Sequence, residues 1–182
     1  MKVGQVIRTF SAKDKRKIVL RTPRWEDLDD FLKLINALVE ERADILRNEE
    51  VTREEEIDFM ARVLSHLEKG EMFYLVAEVD NHVVAVSEIS RRSGYENHVG
   101  VIGIAIKNGY RDLGIGTEMM KTLEMQARKI GLKVLTLTAF ATNKRAIRVY
   151  QKVGFMQTGV TPKKYFKDGK YADEIIMTKL LE

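Results

Sequence analysis

Two kinds of hydrophobic repetition divide the chain. Short apolar runs, QVIRTF and KIVLRT, flank the polar turn SAKDKR and predict a pair of strands. After Pro23, the segment WEDLDDFLKLINALVEERADIL carries Leu28, Phe31, Leu32, Ile35 and Leu38 at helical spacing, with acids in its first turn. Thr52 and Glu55 have the spacing of a capping box, which predicts a second helix through Met60 and Leu67 that ends near Gly70. The period then shortens to that of strands in FYLVAEV, HVVAVSEISRR and HVGVIGIAI, separated by Asp80-Asn81 and by SGYEN. A helix is predicted from about Gly116 to Lys129, with Met119, Met120, Leu123, Ala127 and Ile130 on one face and Gly131 just beyond its end. The strand KVLTLTAF follows, then a helix from about Asn143 to Val153 closed by Gly154. Last comes a hairpin in which Asp168-Gly169 turns FMQTGVTPKKYF into YADEIIMTKLL.

The order ββααβββαβαββ predicts a mixed α/β (α+β) domain. Three consecutive strands without intervening helices make an antiparallel meander, and one helical crossover joins the strands near residues 98 and 133. With 182 residues, no linker and no repeat, a single domain over 1–182 is expected. No apolar run has the length of a membrane span, and no cysteine is present, so a cytoplasmic protein without a thiolate site is expected. His66, His82 and His98 match no metal-ligand spacing, which predicts no metal.

Charge changes this picture in one place. The net charge is +4, yet residues 40–58 hold nine acids against three arginines, net −6. An acidic stretch on a basic body suits a protein that holds an anion in one place and a cation in another. An ordinary solvated helix face is the plainer explanation of the acids taken alone. No basic stripe interleaved with aromatics is evident, so nucleic acid is not expected as a partner.

The stretch YRDLGIGTEMM, residues 110–120, carries the first candidate chemistry. A Walker A loop fails, because Ile115 stands where its lysine is required, and a dinucleotide fingerprint lacks its third glycine, since Met119 occupies that spacing. What remains is strand, loop, Arg111-x-x-Gly114-x-Gly116, helix. Glycines there let open N–H groups at a helix start approach a pyrophosphate, with Arg111 as a nearby cation. A tight loop that merely needs φ > 0 accounts for the same glycines. In ATNKRAIRVYQKVGF, residues 141–155, Asn143, Ala146 and Tyr150 share a helix face, a possible place for chemistry; Asn143 as N-cap and Tyr150 as core residue is the plainer alternative.

Together the two segments resemble the GNAT family of N-acetyltransferases. Arg111-x-x-Gly114-x-Gly116 is similar to its acetyl-CoA motif, and Asn143-x-x-Ala146-x-x-x-Tyr150-x-x-x-Gly154-Phe155 to its second half. The ending KDGKYADEIIMTKLL is similar to members that acetylate protein N-termini, ribosomal proteins or polyamines. The resemblance implies the acyl-CoA N-acyltransferase fold: a mostly antiparallel sheet, flanked by about four helices and splayed between the fourth and fifth core strands, VIGIAI and LTLTAF. It implies acetyl-CoA as co-substrate without a metal, and direct transfer to a primary amine. Because it also places substrate choice on the first two helices with their connection and on the terminal hairpin, the net −6 stretch predicts a cationic acceptor, either a peptide or protein N-terminus or a polyamine-like amine. The same fold kept as a non-catalytic CoA-binding sensor or interaction module is the alternative. No membrane partner is implied, and the protein is expected as a monomer or homodimer.

By the same resemblance, Ile104, Ala105 and Ile106 offer backbone groups to the pantetheine arm. The N–H groups of Asp112, Leu113, Gly114, Ile115, Gly116 and Thr117 hold the pyrophosphate, and Asn143 positions the pantetheine. Tyr150 is the implied acid for the leaving thiolate. A glycine usually follows the family's arginine; Asp112 stands there instead, and its side chain is expected to point to solvent or to Arg111. The glutamate base of related N-terminal acetyltransferases is replaced by Thr138, which leaves Glu88, His98 or a water chain as candidate bases.

Overall fold

The computed structural model describes residues 2–181. Its elements are β1 (Val6–Ser11), β2 (Lys17–Arg21), α1 (Leu28–Glu40), α2 (Arg53–Lys69), β3 (Met72–Val79), β4 (His82–Arg91), β5 (Val99–Ile106), α3 (Ile115–Lys129), β6 (Val134–Phe140), α4 (Lys144–Lys152), β7 (Met156–Lys167) and β8 (Lys170–Leu180). Among the described residues all the strands join one mixed sheet in the order β1-β2-β3-β4-β5-β6-β8-β7. The one parallel pairing, β5 with β6, is made across α3; every other neighbour is antiparallel. No described helix is long and apolar enough to cross a membrane.

Strand alternation sends apolar side chains to both faces of the sheet. On one face Leu75, Ile89, Leu135 and Met177 pack against Met119, Leu123 and Ala127 of α3 and Tyr150 of α4. On the other, Val76 and Val83 meet Phe31, Leu34 and Leu38 of α1 and Met60 of α2. The buried stripe of α1 is therefore turned from the expected one. Leu34 enters the core, while Leu32 and Ile35 are only half-buried. Likewise Ile130, expected on the core face of α3, caps that helix and is 46% exposed.

Helix ends follow their local chemistry. The Thr52 hydroxyl accepts from the Glu55 N–H, and the Glu55 carboxylate accepts from the Thr52 N–H at 2.9 Å, so both halves of the capping box form. Gly70, at φ +71, closes α2 while the Glu71 N–H reaches back to His66. α1 stops earlier than the apolar pattern predicts, at Glu40 rather than near Leu46. Arg42 takes φ +49 and the Ala43 N–H returns to the Leu38 carbonyl, a helix stop usually marked by glycine but here made without one. Residues 41–52 consequently form a connection along the rim of the sheet.

The feature that shapes the site is the short reach of the parallel pairing. β5 and β6 are in register only from Val99, Gly100 and Val101 to Val134, Leu135 and Thr136. Beyond that point the strands part, and the sheet is split at its centre.

Candidate active site

The parting strands open a cleft of about 1120 Å³. One wall is the far half of β5, whose Ile104, Ala105 and Ile106 pair with Ser87, Val86 and Ala85 of β4 on one side only. Their other edge faces the gap, where main-chain donors and acceptors have no strand partner. The other wall is Thr138, Ala139 and Phe140 of β6, and α4 closes one end with Asn143, Ala146 and Tyr150.

At the head of the cleft lies the loop that starts α3. Gly114 takes φ +91 as the residue before the helix, and the first intrahelical bond is that of the Glu118 N–H to the Gly114 carbonyl. The N–H groups of Ile115, Gly116 and Thr117 precede it, so the helix itself satisfies none of them. A Cβ on Gly116 would come within 3.1 Å of the Ile106 Cδ1, which shows how closely this turn sits on β5. Leu113 and Ile115 turn their side chains into the core, and the Leu113 carbonyl is tied to the Lys13 N–H at 3.2 Å. Only their backbone can serve the cleft.

Of the charged residues of this loop, Asp112 points to solvent, one of the two expected placements, while Arg111 is drawn to protein partners. Arg111 donates from Nε to the Ile106 carbonyl at 2.9 Å and pairs its guanidinium with Glu41 at the end of α1, so its charge is already balanced. Asp112 is not paired with Arg111. Its carboxylate, 68% exposed, meets Arg145 of α4 at 3.3 Å. The residue takes φ +64, the left-handed conformation that glycine adopts freely and aspartate tolerates.

Asn143 caps α4: its Oδ1 accepts from the Ala146 N–H at 3.1 Å while the residue lines the cleft. Tyr150 is 7% exposed and packs against Phe155, with ring centroids 6.3 Å apart. Burial pushes its phenol up to about 12, so the hydroxyl keeps its proton. That hydroxyl has no protein hydrogen-bond partner among the described residues, and Tyr150 lines the cleft.

Glu88 reaches the cleft from β4, opposite Gly103 of β5, and burial raises its carboxyl above the ordinary value. It too has no hydrogen-bond partner among the described residues. His98 is not brought to the site. It is exposed at the start of β5, the end where β5 and β6 are still joined, and its carbonyl accepts from Lys133 and Val134.

Several cleft residues were missed by the sequence reading. The Ser87 hydroxyl is buried beside Ile104 without a hydrogen-bond partner among the described residues, an orphan polar atom on the cleft wall. Tyr165 of β7 stacks on Phe140, with centroids 3.8 Å apart, and donates its hydroxyl hydrogen to Glu174 at 2.7 Å. Lys167 pairs with Asp44 at 2.5 Å and Arg42 with Asp168 at 3.0 Å, binding the 41–52 connection to the terminal hairpin. Such pairs take up three of the nine acids of the 40–58 stretch. Glu41, Asp44 and Glu55 each face a basic partner, and Glu56 is buried.

Comparison with known proteins agrees with this architecture. The model of the acetyltransferase (GNAT) family matches residues 34–155, and the chain belongs to that family. It is 31% identical over 112 residues to L-amino acid N-acetyltransferase AaaT of Escherichia coli, covering 58% of this chain and 67% of that one. To an N-alpha-acetyltransferase of Sulfurisphaera tokodaii it is 32% identical over 120 residues, covering 60% and 71%. The matched stretch thus spans only about two thirds of these curated relatives. An acetyltransferase of Salmonella typhimurium, yncA, solved with its cofactor acetyl-CoA, superposes with a TM-score of 0.80 at 20% identity, over 91% of this chain and 94% of that one.

Proposed function

We propose that this chain, acting as a single domain, transfers the acetyl group of acetyl-CoA directly to a primary amine of a cationic acceptor. The observation that carries the reading is a buried phenol, Tyr150, without a hydrogen-bond partner among the described residues, in the same cleft as the open N–H groups that begin α3.

The residues present fit the co-substrate. The N–H groups of Ile115, Gly116 and Thr117 at a helix N-terminus suit a pyrophosphate, with Gly114 supplying the turn. The main-chain groups of Ile104 and the N–H of Ile106 on the open edge of β5, with the orphan Ser87 hydroxyl beside them, suit the amides of a pantetheine arm. Arg111 contributes by holding the loop to the Ile106 carbonyl and to Glu41. When bound, acetyl-CoA supplies an activated acetyl thioester. Tyr150 Oη donates its hydrogen toward the sulfur as the thiolate departs, a role its raised pKa permits because the proton is present throughout the working pH range. Glu88 takes a proton from the acceptor's ammonium; a half-buried carboxyl with a raised pKa is a better-matched base for that step than an ordinary one. Asn143 holds the first turn of α4, and thereby the height of Tyr150, through its cap to Ala146.

A positively charged acceptor is supported by two carboxylates, Glu88 and Glu174, on the sheet face that carries Thr138 and Phe140. An amine must reach the thioester from outside the cofactor's own groove, and this face offers that approach. Thiol release is the test: acetyl-CoA is incubated with spermidine, free L-amino acids and peptides with free N-termini, and products are identified by mass spectrometry. Acetylated amine with matching thiol release is expected. Cofactor binding without turnover of any amine would favour the binding-module alternative.

A further inference from the structure

The hairpin β7–β8 brings a polar cluster to the cleft wall that the sequence does not announce. On β6, Leu135, Leu137 and Ala139 enter the core shared with α3, so Thr136, Thr138 and Phe140 lie on the opposite face. Antiparallel pairing with β8 sets Phe140 beside Glu174 and Thr138 beside Ile176 on that face. β7 then places Thr161 against Glu174, and after an irregularity in register brings Tyr165 onto the Phe140 ring. Tyr165 Oη donates to Glu174 Oε1 at 2.7 Å and Thr161 Oγ1 donates to Oε2 at 3.1 Å. Tyr165, Phe140 and Thr138 line the cleft.

This arrangement decides what the phenol can offer. Its single hydrogen is committed to Glu174, so the oxygen's lone pairs are what remains for a visitor, made more negative by the carboxylate behind them. A tyrosine fixed in this way accepts a hydrogen bond. Thr138 lies on the same sheet face and lines the cleft beside this pair, and its hydroxyl adds a further polar group there. The flat Phe140–Tyr165 stack fixes the ring in place, and Lys167, 5.5 Å from the Phe140 centroid and held by Asp44, braces the hairpin behind it. A rigid aromatic wall with an oriented acceptor suits an N–H donor carrying positive charge, and suits a carboxylate or phosphate badly.

We propose that Tyr165 is the acceptor-binding residue of this enzyme, its phenolic oxygen taking an N–H of the incoming primary amine, with Glu174 as the positioning residue that orients it. The inference rests on the acetyl-transfer reading above and adds which residues grip the amine. It gives the cluster a role separate from Glu88: Glu88 removes the proton, while Tyr165 sets the direction from which the nitrogen comes.

The test is steady-state kinetics of the full chain with acetyl-CoA and two probes, spermidine and a hexapeptide with a free N-terminal alanine. Tyr165→Phe preserves the stack on Phe140 and removes only the oxygen. In that variant KM for the amine is expected to rise about tenfold or more, with kcat changed by less than about threefold and acetyl-CoA affinity unaltered. Glu174→Gln should raise the same KM by less, and adding it to Tyr165→Phe should cost nothing further, since the carboxylate acts through the phenol. Unaltered acetyl-CoA affinity also shows that each variant is folded. Wild-type turnover with an unchanged amine KM in Tyr165→Phe overturns the subsite alone, and so does a further loss in the double variant for the role of Glu174. No turnover of either probe or any other amine by the wild-type chain overturns the transfer reading and the subsite with it.

Discussion

Glu88 stands opposite Gly103 across the β4–β5 pairing, so close that a Cβ at residue 103 would lie 3.0 Å from the Glu88 Oε1. The missing side chain leaves room for a half-buried carboxyl at the point where the sheet begins to open. Burial then sets its proton affinity: with no cation beside it, the charged form is disfavoured and the pKa is raised.

Stability and activity should therefore respond to Glu88→Gln in opposite directions. Because the folded pKa lies above the unfolded one, the native state holds the extra proton, and Glu88 lowers stability progressively as pH rises through its folded pKa. Below the usual value of 4.5 the two proteins should melt together; well above the raised pKa the glutamine variant should melt at higher temperature. Turnover should fall in the variant at pH values where Glu88 is ionised, with the difference closing toward acid. In the wild type, kcat/KM should decline toward acid with a midpoint above 4.5. Melting curves and pH–rate profiles on the same preparations check both halves.

Tyr150→Phe keeps the packing on Phe155 and removes only the hydroxyl. The expected result is a fall in kcat of about a hundredfold or more, the usual range for a lost general acid, with acetyl-CoA affinity nearly unchanged. Wild-type turnover in this variant would remove Tyr150 from the chemistry.

Asp112→Gly relieves a left-handed residue and withdraws a carboxylate from beside the helix end proposed to hold the diphosphate. Acetyl-CoA should bind about two- to fivefold more tightly, matching a charge interaction of about 0.3–1 kcal/mol at a helix terminus. The gain should fade at high ionic strength, since Asp112 is mostly solvent-exposed. A gain that does not respond to salt would point to backbone relief instead of charge.

The closed end of the split can be tested through packing. A Cβ at residue 100 would meet Leu132 Cδ1 at 2.7 Å and Ile89 Cγ2 at 2.9 Å, inside the short stretch where β5 and β6 still pair. Gly100→Ala should cost about 1–3 kcal/mol of unfolding free energy, read by denaturant titration. An unchanged midpoint would mean the strands are looser there than the register indicates.

The order and type of the elements were legible in the sequence because each carried its own signal: the Thr52–Glu55 box, the glycines at 70, 114 and 131, and the change of period after Gly70. The end of α1 was not, because Arg42 adopts the left-handed stop that a glycine would have announced. The site divides in the same way. Gly114, Gly116, Asn143 and Tyr150 sit in two local motifs, readable by spacing, and the cleft brings them together. Glu41 as the partner of Arg111, Arg145 as that of Asp112, and the Thr138–Tyr165–Glu174 cluster depend on contacts between residues distant in the chain, fixed by sheet register and hairpin irregularities that no local pattern encodes.

The account stands on the start of α3 holding the diphosphate of coenzyme A, and calorimetry addresses that most directly. Acetyl-CoA titrated into the protein should give saturable one-site binding, while S-acetylpantetheine, which carries the same thioester arm without the diphosphate, should bind at least about tenfold more weakly. No heat with acetyl-CoA, or equal affinity for the two, would contradict it.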